Sequence, residues 1–175
     1  MTKENERHQV VLWRKLGFGA IPLRQPVKKI RRWDAEKGGW RYIEVRPKQP
    51  IDYAVFGLTP VLSEKTHEAI VIPIFLGVEE KTTSSREFSM SRIKRHRYDN
   101  MVSFCIQNKL VPIIIVTFTG GTRKLYSYNM LFRNPKERMF RSNAKPFDEM
   151  VDDLINDYIK IYPLVAAEFA RGVKV

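Results

Sequence analysis

Apolar residues recur along this chain in two rhythms, and the switches between them lay out its elements. From Glu4 to Leu16, the residues Val10, Val11, Trp13 and Leu16 fall at roughly helical spacing. Gly17 and Gly19 end that run, which predicts a first helix. Ala20 to Ile30 reads as an extended piece whose Pro22 and Pro26 limit its pairing. It leads into Lys28-Lys29-Ile30-Arg31-Arg32. Trp40-Arg41-Tyr42-Ile43-Glu44-Val45 then alternates as a strand does, with Asp34 to Gly39 as the turn between the two pieces. Further strands are expected near 52–57 and 70–80, with the polar Thr59 to Glu68 as a loop or hairpin tip. Thr82-Thr83-Ser84-Ser85 leads out of the second of these, and a helix is predicted from about Ser89 to Asn108. Val111-Pro112-Ile113-Ile114-Ile115-Val116-Thr117-Phe118 has the continuous character of a strand buried on both faces. Gly120-Gly121 turns it into a partner strand, roughly Lys124 to Tyr128. The last helix runs from Pro146 to Ala170, with Asp148 and Glu149 in its first turn and a kink expected at Pro163.

This order predicts an α/β fold with a central mixed β-sheet flanked by helices. The passage from the 70–80 strand through the 89–108 helix to the 111–118 strand reads as a right-handed parallel unit. At 175 residues the chain is expected to form one domain, with about 24–46 as a projecting basic hairpin.

Two places break the apolar pattern. Asp52 stands at the start of Ile51-Asp52-Tyr53-Ala54-Val55-Phe56, and the run Ile70 to Val78 ends in Glu79-Glu80-Lys81. Side chains on a strand alternate between faces, so Glu79 and Lys81 share one face and Glu80 takes the other. A carboxylate and an ammonium side by side at the end of an apolar strand suit a site in which Asp52 and Glu79 hold a hard divalent cation. Lys81 would then face a phosphate or an attacking water. The plain alternative is a strand-start aspartate and a solvated strand end. On the following helix, Met90, Ile93, Met101 and Phe104 form a stripe toward the sheet, and Arg97 belongs to it. A charge on that face either reaches the acids or a bound phosphate, or extends past the stripe to solvent. Arg92, Lys94 and Arg95 lie on other faces, as phosphate-positioning charges or a solvated surface.

Charge narrows the partner. The net charge is +12 and the sequence pI about 9.9, which points to a polyanion, most simply nucleic acid. Lys28, Lys29, Arg31, Arg32 and Arg41, interleaved with Trp33, Trp40 and Tyr42, suit phosphate contacts plus stacking on exposed bases. A charged hairpin packing its aromatics on the domain or on a second subunit is the alternative. No run of some 18 apolar residues and no signal peptide occurs, so no membrane partner is expected. Cys105 stands alone, which excludes an internal disulfide and fits a reducing cytosol; with three scattered histidines it also excludes a Cys/His zinc cluster. His8, His67 and His96 lack a neighbouring nucleophile signature, and neither a G-x-S-x-G nor a phosphate-binding G-x-x-x-x-G-K-[ST] motif occurs.

The order of these segments resembles the PD-(D/E)xK nuclease superfamily and, within it, the RecU-like Holliday junction resolvases. The matching segments are Lys48 to Tyr53, Glu79-Glu80-Lys81-Thr82-Thr83, Phe88 to Arg97 and Ile113 to Phe118, with fainter similarity over 20–47. The resemblance implies a restriction-endonuclease-like core and a basic stalk. It also implies a metal site in which Asp52, Glu79 and the backbone carbonyl of Glu80 ligate Mg²⁺ (or Mn²⁺) while Lys81 orients the nucleophile. Arg92, Arg95 and Arg97 would join the hairpin cations in binding DNA. The chain departs from the family in having Ile51 before Asp52, a long Asp52–Glu79 interval, and Arg97 where a glutamine is usual. Glu6 is the nearest counterpart of an assisting glutamate on the first helix.

Together these readings give a Mg²⁺-dependent, structure-specific DNA endonuclease, a junction-resolving homodimer of the cytoplasm of a bacterial or phage-infected cell. The competing readings are a non-catalytic DNA-binding or phage structural protein that keeps the nuclease fold, and a restriction-type or end-processing nuclease.

Overall fold

A five-stranded mixed sheet organises the chain in the computed structural model, which describes residues 3–23, 28–45, 49–62, 67–131 and 137–171. The first helix, α1 (Lys3–Lys15), ends where expected. Gly17, at φ +88, donates to the Arg14 carbonyl, and Phe18 N–H reaches back to Trp13 O at 3.1 Å. That left-handed cap needs no Cβ, which is why glycine closes the helix.

Strand β1 (Gly19–Pro22) lies at the sheet edge, where Pro22 costs no ladder bond. Strands β2 (Lys28–Asp34) and β3 (Gly39–Val45) form a separate two-stranded ribbon around the predicted turn. Asp34 Oδ1 accepts from the N–H groups of Glu36 and Lys37 and shapes that turn. Strands β4 (Tyr53–Leu62) and β5 (Ala69–Thr83) are both longer than predicted. Thr59 to Leu62 is strand rather than loop and pairs with Ile72 to Ala69, so the hairpin reaches into the first part of the expected loop or tip; residues 63–66 of it lie outside the described residues. Cross-strand pairing with a β-branched partner strand outweighs the turn preference of Thr59 and Pro60.

After the short β6 (Glu87–Ser89), a 3-10 turn over Met90–Arg92 precedes α2 (Arg95–Gln107). The helix therefore starts later than the expected Ser89. The Ser89 hydroxyl accepts from Ser91 N–H to cap the short turn, and Ile93 is extended, so the chain turns a corner before α2 begins. Strand β7 (Val111–Phe118) is buried at every position and pairs in parallel with β5, as the continuous apolar run predicted. Then come β8 (Leu125–Met130), β9 (Arg138–Phe140), which pairs with β6, and α3 (Phe147–Arg171), whose helix runs on through Pro163. The strand order is β1-β4-β5-β7-β8.

Two cores lie on the two faces of this sheet. On one, Val10 and Trp13 of α1 and Phe147, Met150, Leu154 and Tyr158 of α3 cover Val55, Leu76, Val78, Ile113 and Ile115. On the other, Met101 and Cys105 of α2 join Ile51, Phe88, Ile114, Val116 and Phe118. The α/β class and the mixed sheet flanked by helices are as predicted. Among the described residues, no helix is long and apolar enough to cross a membrane.

Candidate metal and DNA site

β5 outruns β4 at one end. Tyr53 pairs with Val78, and Asp52 marks the end of that ladder, its N–H donating to Val78 O at 2.8 Å and its carbonyl accepting from Leu23 N–H at 3.1 Å. Residues Glu79 to Thr83 continue against β7 alone. On the edge β4 has vacated, the Asp52 side chain takes over the hydrogen bonding. Its Oδ2 accepts the backbone N–H of Glu80 at 2.6 Å. The aspartate at the start of one apolar run and the acids at the end of the next are thus one site.

The predicted alternation holds. Glu79 and Lys81 share the face covered by α2, and Lys81 donates to Glu79 Oε1. The Glu80 side chain turns to the opposite face, where its charge is felt by Tyr53 and Tyr126. Tyr53 is itself fixed by a buried relay: Trp13 Nε1 donates to its hydroxyl at 3.1 Å, and that hydroxyl donates to Gln9 Oε1 at 2.9 Å. Gln9 Nε2 in turn donates to Thr117 at 2.8 Å. Helix α1 thereby holds the residue next to Asp52 in place.

Arg97 does not extend to solvent. It lies on the sheet-facing side of α2, four residues before Met101, and its Nε donates to Glu79 Oε1 at 2.9 Å with Nη2 on the same oxygen. Glu79 is only 2% exposed. Its Oε1 carries both cations, while Oε2 is buried and has no hydrogen-bond partner. Burial, and then the neighbouring Asp52 charge, push the Glu79 carboxyl up to about 7, against the pull of Lys81. Burial also raises Asp52, opposed by the Glu80 N–H and by Lys81. Burial lowers Arg97.

Two carboxylates pressed together in a desolvated place, one with an orphaned oxygen, repel each other unless a cation or a proton lies between them. Among the described residues no group of three or more His, Cys, Asp and Glu side chains converges. Asp52, Glu79 Oε2 and a backbone carbonyl are the donors at hand, a set that could hold a small hard ion of the kind that keeps several waters and takes only one or two carboxylates, as Mg²⁺ does.

A cavity of about 470 Å³ opens beside the site, lined among others by Gln49, Lys81, Arg92, Lys94, Arg97 and Asn100. Among the described residues its wall carries these four cations and no acidic side chain. Arg95 stands apart: it is exposed and lies 3.9 Å from Asp99 one turn along α2. Sequence reasoning singled out neither Gln49 nor Asn100, nor His96, which also lines the cavity. The one-turn spacing of His96 and Asn100 is the signal that would have found the helical part of this wall.

The cations of the β2–β3 ribbon gather elsewhere. Register puts Lys29, Arg31, Trp33, Trp40, Tyr42 and Glu44 on one face. Trp33 and Trp40 meet edge to face at 5.6 Å, the Arg31 guanidinium lies 5.1 Å over Trp40, and Tyr42 is 72% exposed. On the other face Arg41 Nε sits 3.0 Å from Asp34. Arg41 thus braces the turn, while Arg32 is exposed. The side chains of Lys28 and Glu6, and residue Lys48, lie outside the described residues.

No family model and no curated protein matches the chain. Among solved structures it is similar to Archaeoglobus fulgidus Hjc, a Holliday junction resolvase from an archaeal hyperthermophile. The two share 14% sequence identity at a TM-score of 0.49, over 85% of this chain and 98% of that one.

Proposed function

We propose that the protein is a divalent-metal-dependent DNA endonuclease that resolves branched DNA as a homodimer, in the manner of the RecU-like enzymes its motifs resemble. The observation that carries this reading is the buried Glu79 beside the half-covered Asp52, with Lys81 on Glu79 and a cation-lined cavity alongside. Asp52, Glu79 through Oε2 and the Glu80 carbonyl would hold one Mg²⁺ or Mn²⁺. When bound, such an ion polarises a phosphate oxygen and lowers the pKa of a bound water. Asp52 is kept in place by the Glu80 N–H, and Glu79 by Lys81 and Arg97. Lys81 orients the attacking water and stabilises the charge that grows on the phosphate. Arg92 and Lys94 hold the flanking backbone by its phosphates. The ribbon face of Trp33, Trp40 and Tyr42, with Lys29 and Arg31, offers stacking surface to bases left unpaired at a branch.

The homodimer reading rests on the far half of the β4–β5 hairpin. There Phe56, Leu58, Pro60 and Leu62 face the same way as Ala69, Val71, Pro73 and Phe75, and Ile21 of β1 extends the row. Leu58 is 71% and Leu62 69% exposed, and among the described residues no charged side chain interrupts this row. At ~200 Å² for a fully exposed large apolar side chain, this row exposes on the order of 600 Å². Each partner of a standard interface buries about 800 Å². Pairing two copies through it gives two cutting sites, as two opposed strands require.

Incubating the purified chain with branched and linear DNA, with and without Mg²⁺, tests the proposal. Mg²⁺-dependent cleavage of the branched substrate is expected. Binding without cleavage in either Mg²⁺ or Mn²⁺ would favour the non-catalytic DNA-binding reading, which the two cations already seated on Glu79 Oε1 also suit.

A further inference from the structure

The Glu79 carboxylate is used unevenly. Oε1 accepts from Lys81 Nζ and from Arg97 Nε and Nη2, whereas Oε2 is buried without a partner. An oxygen already holding two cations has little left to give a metal ion. Arg97 is also firmly anchored beside that oxygen. Its side chain is only 18% exposed, and it lies on the stripe of α2 that continues through Met101 and Cys105 into the core.

The residue type matters. A glutamine at this position could turn its carbonyl toward a metal or its amide toward Glu79, and it brings no charge. Arginine has donors only, stays protonated, and brings a full positive charge on a fork that fits a carboxylate.

On the reading of the site as a metal-dependent nuclease, we propose that Arg97 is a positioning residue that commits the site to a single divalent ion. By occupying Oε1 it makes Glu79 a one-oxygen ligand through Oε2. Its guanidinium takes up the room and the charge that a second ion would need on the cavity side. Two-ion sites require carboxylate oxygens that bridge or flank both ions. Here the Glu79 oxygen on that side is already taken. The positive charge beside the site also weakens the binding of the one ion, because like charges repel strongly where water is scarce.

The test is Mn²⁺ binding to the full chain without DNA, measured by titration calorimetry, with Mn²⁺ electron paramagnetic resonance to count ions. The wild-type chain is expected to bind one ion. Arg97→Gln is expected to bind Mn²⁺ about tenfold more tightly. Arg97→Lys keeps the charge and should stay close to wild type, which a purely structural role for the guanidinium would not predict. Two ions on the wild-type chain, or an Arg97→Gln affinity equal to wild type, overturns the role of Arg97 while leaving the metal site standing. Two ions on the wild-type chain overturn the role with no variant at all, and if Arg97→Gln unfolds, Arg97→Met, which keeps the apolar stem and removes the charge, is expected to show the same tighter binding. A wild-type chain that binds no Mn²⁺, or an Asp52→Asn chain that binds it unchanged, overturns the metal site and the role of Arg97 with it.

Discussion

The two ends of one hairpin invert the usual rule of burial. At the inner end of β4–β5, charged side chains are buried: Glu79 and Glu80 are almost inaccessible and Asp52 is half-covered. At the outer end, apolar side chains are bare: Leu58, Leu62, Ile70 and Val71 are all more than half exposed. Buried charge and exposed apolar surface are the informative exceptions in a folded chain, since each costs stability unless something absent from the free monomer offsets it. At the inner end Lys81 and Arg97 offset part of that cost on Glu79 Oε1, and the metal ion and the second copy proposed above would each offset more. Continuous pairing along β4 and β5 joins the two, so a single hairpin carries both the proposed site and the proposed docking face.

The inner end breaks hardest. Asp52→Asn and Glu79→Gln are each expected to lower single-turnover cleavage of a labelled branched DNA by about 10²–10³-fold or more. Binding of the same DNA without metal should stay within a few-fold of wild type, because the phosphate-facing cations are untouched. A variant that cleaves at the wild-type rate removes these carboxylates from the chemistry.

The two ends were unequally legible in the sequence. Asp52, Glu79 and Lys81 could be read because they interrupt apolar runs and because a period of two settles which face each takes. The buried β7 was readable from its unbroken β-branched run. Arg97 does lie on the sheet-facing side of α2, but with Met101 and Cys105, since Met90 and Ile93 of the expected stripe precede the helix; its partner depends on how α2 lies on the sheet. The start of α2 was misplaced because a capped 3-10 turn carries the same local residues as a helix N-terminus. The outer half of the hairpin was missed for a related reason. Thr59 and Pro60 carry turn signals in isolation, and only the opposite strand, more than ten residues on, overrides them. The Tyr53–Gln9–Thr117 relay joins three distant segments, so no local pattern announces it.

The outer end should break differently. Leu58→Asp puts a charge in the middle of the apolar row, on a side chain already largely in water. Self-association, followed by sedimentation equilibrium in the absence of DNA, is expected to weaken about a hundredfold, while the thermal unfolding of the monomer changes little. An unchanged association constant would mean that the exposed row is not where two copies meet. A wild-type chain that is monomeric at all accessible concentrations would mean the same.

The smallest effect comes from the point where the two regimes meet. Gly77 lies on the same face as the exposed Phe75 and the buried Glu79, at the step where α2 begins to cover the sheet. A Cβ there would fall 2.4 Å from the Cys105 sulfur and 3.3 Å from Ile51, both fully buried. Gly77→Ala is therefore expected to destabilise the fold by about 1–3 kcal/mol through overpacking, read by urea unfolding. Cys105→Ala removes the sulfur in the way, so the double variant should recover part of that loss. The interaction between the two changes, more than either alone, tests whether close approach of α2 to the sheet is what separates the covered half of the hairpin from the bare half. If the double variant merely adds the two separate losses, Gly77 is not where α2 meets the strand. The boundary between the covered and the bare half must then be set by Ile51 and Leu110, the other neighbours of that missing methyl group.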